Sequence, residues 1–153
     1  MVSKADHIRW SFAGSLSIDD IDDEVSAFIE AWGEAPALIV IDNLIDINGD
    51  EGEEFSALRS TCRTLKHMAR TLDSCVLVLH HTSEAVESKP CPPRKAIHGK
   101  VAQLPALILT VSVAPGAMLV APVKNRHGPA DASGQTAYWL KFDASTMTLT
   151  DPE

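Results

Sequence analysis

The sequence has no phosphate-binding loop of the form G-x-x-x-x-G-K-[S/T], so it offers no standard backbone cradle for a triphosphate. Aromatic residues make up only 5% of the 153 residues, and no apolar run approaches the roughly 20 residues of a membrane-spanning helix. The chain does not open on a charged segment followed by an apolar one, so export is not predicted. Its three cysteines, an odd number, are expected to stay reduced in a cytoplasmic protein.

Basic residues are missing from one long stretch. Residues 19–54 contain 13 Asp or Glu and no Lys or Arg, whereas residues 89–126 contain six Lys or Arg and no acid. The net charge of −8 and the pI near 5.1 exclude a protein that coats nucleic acid with its whole surface. They leave room for a local basic channel.

Apolar periodicity predicts an α/β chain in which the strand at 37–42 is covered on both faces. We expect strands 37–42, 75–80 and 106–113 to lie side by side and parallel in one sheet. The predicted elements are a strand at 7–12, a helix at 18–32 between Ser17 and Gly33, a strand at 37–42, a helix at 54–72, a strand at 75–80, a long loop at 82–100, and strands at 106–113, 117–123, 136–142 and 147–150.

The helix at 54–72 carries two stripes. The apolar stripe, expected to face the core, consists of Phe55, Leu58, Cys62, Leu65, Ala69 and Leu72. A basic stripe beside it consists of Arg59, Arg63, Lys66 and Arg70. This second stripe is an alternative surface for DNA.

Polar groups end three apolar strands in a fixed order. Asp42 follows the first strand, His80 and His81 the second, and the segment Lys-Asn-Arg-His-Gly-Pro at 124–129 the last. Over roughly residues 37–150 this order resembles the C-terminal two thirds of a RecA-like motor domain. The closest resemblance is to DnaB-type replicative helicases and their RepA-type plasmid relatives.

The resemblance implies that residues 1–153 form a single truncated RecA-like domain. Its fold would be α/β, a mostly parallel sheet flanked by helices with antiparallel hairpins at the C-terminal end. In this family the phosphate-loop strand runs between the strands that correspond to 75–80 and 106–113. That strand and the segment with the family's catalytic Glu are missing from the sequence.

The resemblance also implies catalytic roles for four residues: Asp42, His81, Lys124 and Arg126. Asp42 stands at the Walker B position and would hold Mg²⁺, with Asn43 beside it in the cofactor site. His81 would sense the γ-phosphate. Arg126 would be an arginine finger that, with Lys124, reaches the nucleotide of a neighbouring subunit. Mg²⁺ is the expected cofactor, and ATP only if another chain or region supplies the phosphate loop.

The implied partner is DNA, single-stranded or forked, and no membrane. Four residues of the loop after the second strand are candidate phosphate contacts: Arg94, Lys95, His98 and Lys100. A homo-oligomer, or a partner that carries the phosphate loop, would complete the assembly. The predicted function is therefore a truncated or split helicase-type motor in DNA replication or recombination.

Three alternatives stay open at this point. Carboxylates near the first strand end suggest a metal-dependent, structure-specific DNA nuclease: Asp42, Asp46, Asp50, Glu51, Glu53 and Glu54. A motor remnant that binds DNA or a partner without chemistry is the second alternative. A zinc site of His80, His81, Cys91 and His98 is the weakest, because none of the usual paired ligand spacings occurs.

Overall fold

The computed structural model describes residues 7–12, 14, 16–48, 54–83 and 90–152. The chain divides into two compact units, Met1–His80 and His81–Glu153. The first unit contains both long helices and two small parallel sheets, and the second contains a four-stranded antiparallel sheet. Neither helix, within the described ranges, has the length and apolar character needed to cross a membrane.

Helix α1 spans Ile18–Trp32, as the sequence predicts. Ser17 Oγ accepts from Asp20 N at 3.1 Å, and Asp20 Oδ2 accepts from Ser17 N at 2.8 Å, which completes a capping box. Ser17 Oγ also donates to Asp20 Oδ2 at 2.7 Å, and this bond, with the one from Ser17 N, lowers the pKa of Asp20. At the other end Gly33 has φ +77° and donates its N–H to Ile29 O at 2.7 Å. Both ends of the helix are thus set by local residues.

Helix α2 spans Glu54–Thr71, and its buried face overlaps the predicted stripe at Leu58 and Leu65 but is rotated away from Phe55. Its buried residues are Leu58, Thr61, Leu65 and Met68. Phe55, predicted to be in the core, is 41% exposed. The buried set repeats at i, i+3, i+7 and i+10, so the contact face includes a threonine that apolar periodicity did not count.

Strands β2 (Leu38–Ile41) and β4 (Cys75–Val78) pair in parallel, with Ile39 opposite Val76. Leu38 and Val40 are 52% and 55% exposed, so the prediction that this strand is covered on both faces is wrong. The reason is that α2 packs on β4 and covers one face of the β2–β4 sheet, whereas no described element covers the face that carries Leu38 and Val40.

A second small sheet pairs β1 (Leu16–Ser17) with β3 (Ile47–Asn48) in parallel. The strand predicted at 7–12 is not formed, because no described residues pair with it. Trp10 and Phe12 stack there at a ring distance of 6.2 Å, both exposed to solvent.

The sheet of the second unit runs in the order β5-β6-β7-β8, all antiparallel. Its strands are β5 (Leu107–Ala114), β6 (Ala117–Asn125), β7 (Tyr138–Asp143) and β8 (Thr148–Thr150). Gly116 takes φ +71° in the two-residue turn that starts at Pro115, which brings β6 back against β5. The prediction that 106–113 lies in one sheet with the first two strands is therefore wrong for the described residues, in which β5 pairs only with β6. The hairpin uses one edge of β5, and no described strand pairs with its other edge.

Cys91, Ala121 and Val123 form the core of the second unit, each at most 1% exposed. Burial raises the pKa of the Cys91 thiol, while hydrogen bonds with Ser112 act in the opposite direction. The predicted loop 82–100 is more ordered than expected where it is described. It contains two short 3₁₀ turns, Arg94–Ala96 and His98–Lys100.

Candidate functional site

Backbone hydrogen bonds hold the carboxyl ends of β2 and β4 together past the last paired strand residues. Leu79 N donates to Ile41 O at 2.9 Å, and Leu44 N donates to Leu79 O at 3.0 Å. Asp42 lies between these two bonds, and its side chain is exposed. The strand tip therefore presents one carboxylate to solvent from a backbone that is fixed on both sides.

Asn43 follows Asp42, but its side-chain amide is already hydrogen-bonded to the next residues of the chain. Its Oδ1 accepts from Ile45 N at 3.0 Å, and its Nδ2 donates to Asp46 Oδ2 at 2.9 Å. The peptide bond between Asp42 and Asn43 is cis. Proteins commonly hold Mg²⁺ through one or two carboxylates and leave its other positions to water and phosphate oxygens. Asp42 fits that role, whereas the amide of Asn43 is already used as a cap.

The carboxylates considered for a nuclease do not gather in the part of the chain that the structure describes. Asp42 and Asp46 are both exposed, and the described residues contain no group of three or more His, Cys, Asp or Glu placed to hold a metal. The other four candidates lie outside the description, three as whole residues and one as a side chain: Asp50, Glu51, Glu53 and Glu54.

His80 and His81 follow β4. His81 is exposed, and its carbonyl oxygen accepts a hydrogen bond from His98 N at 3.4 Å. Thr82 continues this antiparallel contact as a bridge opposite Ile97. The sensor candidate is thereby joined, through its backbone, to the loop that carries the predicted DNA contacts.

We call residues 94–100 the basic segment. It holds all four predicted DNA contacts: Arg94, Lys95, His98 and Lys100. Ala96 and Gly99 are buried and fix the two turns, and Gly99 has φ +76°. As a result the three Lys and Arg side chains are exposed to solvent at least in part, and the His is half-buried. No Asp or Glu occurs between residues 88 and 130, so the sequence places no carboxylate next to these cations.

The chain around residue 134 supports the basic segment, which the sequence did not predict. Arg94 N donates to Ala132 O at 3.0 Å, and Cys91 N donates to Gly134 O at 3.3 Å. Gly134 has φ +74°, and a Cβ on it would lie 2.5 Å from Cys91 O. The Ser-Gly pair at 133–134 was the available signal, since this pair is typical of turns.

Lys124 lies near the end of β6 and is half-buried. Its Nζ donates to Ala102 O at 3.0 Å and to Gln103 O at 2.7 Å. Two residues later, Arg126 N donates to Ala106 O at 2.9 Å. The end of β6 is therefore bonded at three points to the chain that leads from the basic segment into β5.

Arg126 is exposed and has no ion pair among the described residues. The acidic residues that follow Arg126 in the sequence accept hydrogen bonds within their own turns. Asp131 accepts from Ser133 N at 2.9 Å and Thr136 N at 2.8 Å, and the hydrogen bonds from Ser133 hold its pKa well below the usual carboxyl range. Asp143 likewise accepts from residue 145. The guanidinium of Arg126 is thus exposed and without a carboxylate partner among the described residues, and its role as a finger stays a prediction.

Two solved structures share this architecture over most of the chain. A DnaB-like replicative helicase, solved with its interactions with primase, matches at a TM-score of 0.79 and 19% identity, over 94% of this chain and 36% of its own. A second structure, an ATPase domain, matches at 0.74 and 20% identity, over 91% of this chain and 52% of its own. Over the matched part, this chain has the fold of DnaB-like ATPase domains. The DnaB-type fold here combines parallel and antiparallel sheets with the two helices.

Two phage proteins are similar in sequence. The gene 65 proteins of Mycobacterium phages D29 and L5 are 34% and 35% identical to this chain over 153 residues. The match includes 94% of this chain but only 66% and 57% of these relatives, so the chain spans less than two thirds of their length. No family model matches the sequence.

Proposed function

We propose that this chain is part of a DnaB-type, ATP-driven motor that acts on DNA during replication or recombination, and that a phosphate-loop segment outside these residues completes its nucleotide site. The observation that carries the proposal is the exposed Asp42 at the fixed tip of β2, in a DnaB-type fold whose sequence has no phosphate loop. Relatives and fold neighbours longer than this chain leave room for such a segment.

In the proposed site three residues have separate roles: Asp42, His81 and Arg126. Asp42 would hold Mg²⁺ by contacting the water molecules bound to the ion. When bound, Mg²⁺ would neutralise the negative charge of the phosphates. His81 responds to the γ-phosphate and is bonded through its backbone to the basic segment. Arg126 extends to the nucleotide of the next copy in an oligomer, where a guanidinium stabilises the charge of phosphoryl transfer.

The free edge of β4 supports this division. Within the described residues β4 pairs only with β2, so the backbone groups on its other edge have no strand partner. Unpaired strand edges readily accept a further strand. In our proposal the strand that carries the phosphate loop pairs with β4 and brings the loop to the same carboxyl end as Asp42.

The test compares this chain alone with the chain joined to a phosphate-loop segment, with Mg²⁺-ATP and single-stranded or forked DNA. We expect no turnover by the chain alone, and DNA-stimulated hydrolysis by the completed protein that is abolished by Asp42→Asn. Asp22→Asn, an exposed acid on α1, is the matched control. Turnover by the chain alone, lost in Asp42→Asn, would show an unrecognised phosphate site and reject the proposal.

The same mixtures test the two alternative functions. Metal-dependent cleavage of forked or flapped DNA without ATP, lost in Asp42→Asn, is the result expected of a nuclease. Stoichiometric binding to DNA or to the added segment, with no turnover in any mixture, is the result expected of a non-catalytic module. Either result would replace the motor proposal.

A further inference from the structure

The exposed side of α2 carries a straight line of positive charge. We call it the basic stripe: Arg59, Arg63, Lys66 and Arg70. These positions follow each other at i, i+4, i+7 and i+11 and lie on the side of the helix away from the buried Leu58 and Leu65. The three arginines are exposed and the lysine is half-buried. The stripe is about 16 Å long, at 1.5 Å of rise per residue.

Helix α1 carries the complementary charge on its own exposed side. Its acidic stripe consists of Asp19, Asp23 and Glu30, all exposed, at i, i+4 and i+11. The stripe lies away from the buried Ile21 and Val25. Asp19, Asp23 and Glu30 are therefore spaced along α1 as three of the four cations are spaced along α2.

Neither stripe is neutralised within the part of the chain that the structure describes. Among these residues the sole ion pair joins Arg9 to Glu24, and neither of them belongs to a stripe. Asp20, the other acid in the first turn of α1, is used by the capping box with Ser17. Both stripes thus keep their charge available to a partner.

We propose that the basic stripe of one copy of this chain docks against the acidic stripe of a second copy. The equal spacing lets three pairs form at once with the helices side by side. We favour a second copy over DNA as the occupant, because α1 of that copy presents exposed carboxylates at the same spacing as the cations of α2. Each copy offers one stripe of each sign, so the contact builds a two-fold dimer, a ring or an open series of copies.

This contact should be sensitive to salt. Exposed ion pairs are individually weak, and their attraction is screened over about 10 Å at 0.1 M salt. Several pairs in a row act together, yet each is still lost as ionic strength rises. Because the contact does not use Asp42, Arg126 or nucleotide, it can be tested independently of the motor activity.

The experiment measures self-association of the full chain by sedimentation in 50 mM and 500 mM salt. Reversal of the basic stripe (Arg59→Glu, Arg63→Glu, Arg70→Glu) should raise the dissociation constant about tenfold or more at 50 mM salt. Reversal of the acidic stripe (Asp23→Arg, Glu30→Arg) should do the same. A mixture of the two variants should associate again, since the reversed stripes attract each other. Lys141→Glu, an exposed cation on β7, should leave association unchanged.

Three results would overturn the proposal. The first is a monomer at 50 mM salt at all concentrations. The second is association that persists or strengthens at 500 mM salt, which would come from apolar surfaces. The third is a basic-stripe variant that loses DNA affinity and keeps its self-association, which would make the stripe a nucleic-acid surface. Circular dichroism of each variant confirms that the helices still form.

Discussion

Lys124 Nζ donates a 2.7 Å hydrogen bond to the carbonyl oxygen of Gln103, 21 residues earlier in the chain. With the second bond to Ala102 O at 3.0 Å, one ammonium group satisfies two carbonyls of the segment that precedes β5. Charge-assisted hydrogen bonds of this kind are stronger than neutral ones. Lys124 therefore has a positioning role in this chain, whatever it contacts in an assembly.

Replacing Lys124 by Met should remove both bonds and keep most of the apolar stem. We expect the unfolding free energy to fall by about 1–3 kcal/mol, because two carbonyls lose a charged donor. Hydrogen exchange should become faster for the amides of residues 101–106. Lys141→Met is the matched control and should change neither quantity. Unchanged exchange in Lys124→Met would show that other contacts hold the segment.

Reversing three charges of the basic segment should weaken DNA binding. In the variant Arg94→Glu, Lys95→Glu, Lys100→Glu, the slope of log affinity against log salt for single-stranded DNA should fall by about 2, since three phosphate contacts are lost. Fluorescence anisotropy over a salt series measures this slope. The single change Lys141→Glu, at an exposed cation outside the basic segment, should leave the slope unchanged. An unchanged slope in the triple variant would place DNA elsewhere on the chain.

Replacing Arg126 by Ala should separate nucleotide binding from hydrolysis in the completed, oligomeric motor. The guanidinium is exposed and has no ion pair among the described residues, so its loss should not disturb folding. Hydrolysis should fall on the order of 10³-fold or more, the scale of arginine fingers in related reactions. Nucleotide affinity should stay within a few-fold. His127→Ala, an exposed neighbour, should leave hydrolysis unchanged, and equal losses in the two variants would reject a finger role.

The two glycines Gly134 and Gly116 should respond differently to alanine. Both have positive φ, +74° and +71°, but a Cβ at Gly134 would lie 2.5 Å from Cys91 O, and one at Gly116 would meet nothing within 4 Å. Gly116→Ala should cost only the left-handed backbone strain, about 1 kcal/mol. Gly134→Ala should cost about 1–3 kcal/mol more, because a backbone carbonyl has to move. Urea unfolding of both variants measures the difference, and equal costs would mean that the turn at 134 relaxes freely.

Asp131 should make stability depend on acid. Its pKa in the folded chain lies below the value of an unfolded Asp, about 3.9, because hydrogen bonds with Ser133 favour the carboxylate. The resulting stabilisation is complete above about pH 4 and is lost as the pH falls through the folded pKa. Melting temperatures from pH 6 to pH 2 should therefore fall less steeply in Asp131→Asn. Parallel curves for the two proteins would contradict this assignment.

Elements defined by neighbouring residues were predictable from the sequence. Ser17 and Gly33 set the ends of α1 through bonds that span three or four residues, and the turn at Pro115 made the β5–β6 hairpin visible. The contact partners of Lys124 and Gly134 could not be predicted, because they lie more than 20 residues away in the sequence. Among the site residues, the sequence placed Asp42 and Arg126 on exposed strand ends, while it gave no sign that the amide of Asn43 is used as a cap.

The β5 strand has a consequence for how this chain behaves when it is made alone. Among the described strands it lies at the edge of its sheet, and Leu107, Leu109 and Val113 are 50%, 51% and 65% exposed. The strand contains neither a charged residue nor proline, the usual protections against templated aggregation, and has only a bulge after Ile108. In newly made chains, cross-β aggregation will therefore compete with the binding of a covering segment to the exposed edge of β5. Soluble yield should rise when a covering segment is co-expressed, which turns expression level into a screen for that segment.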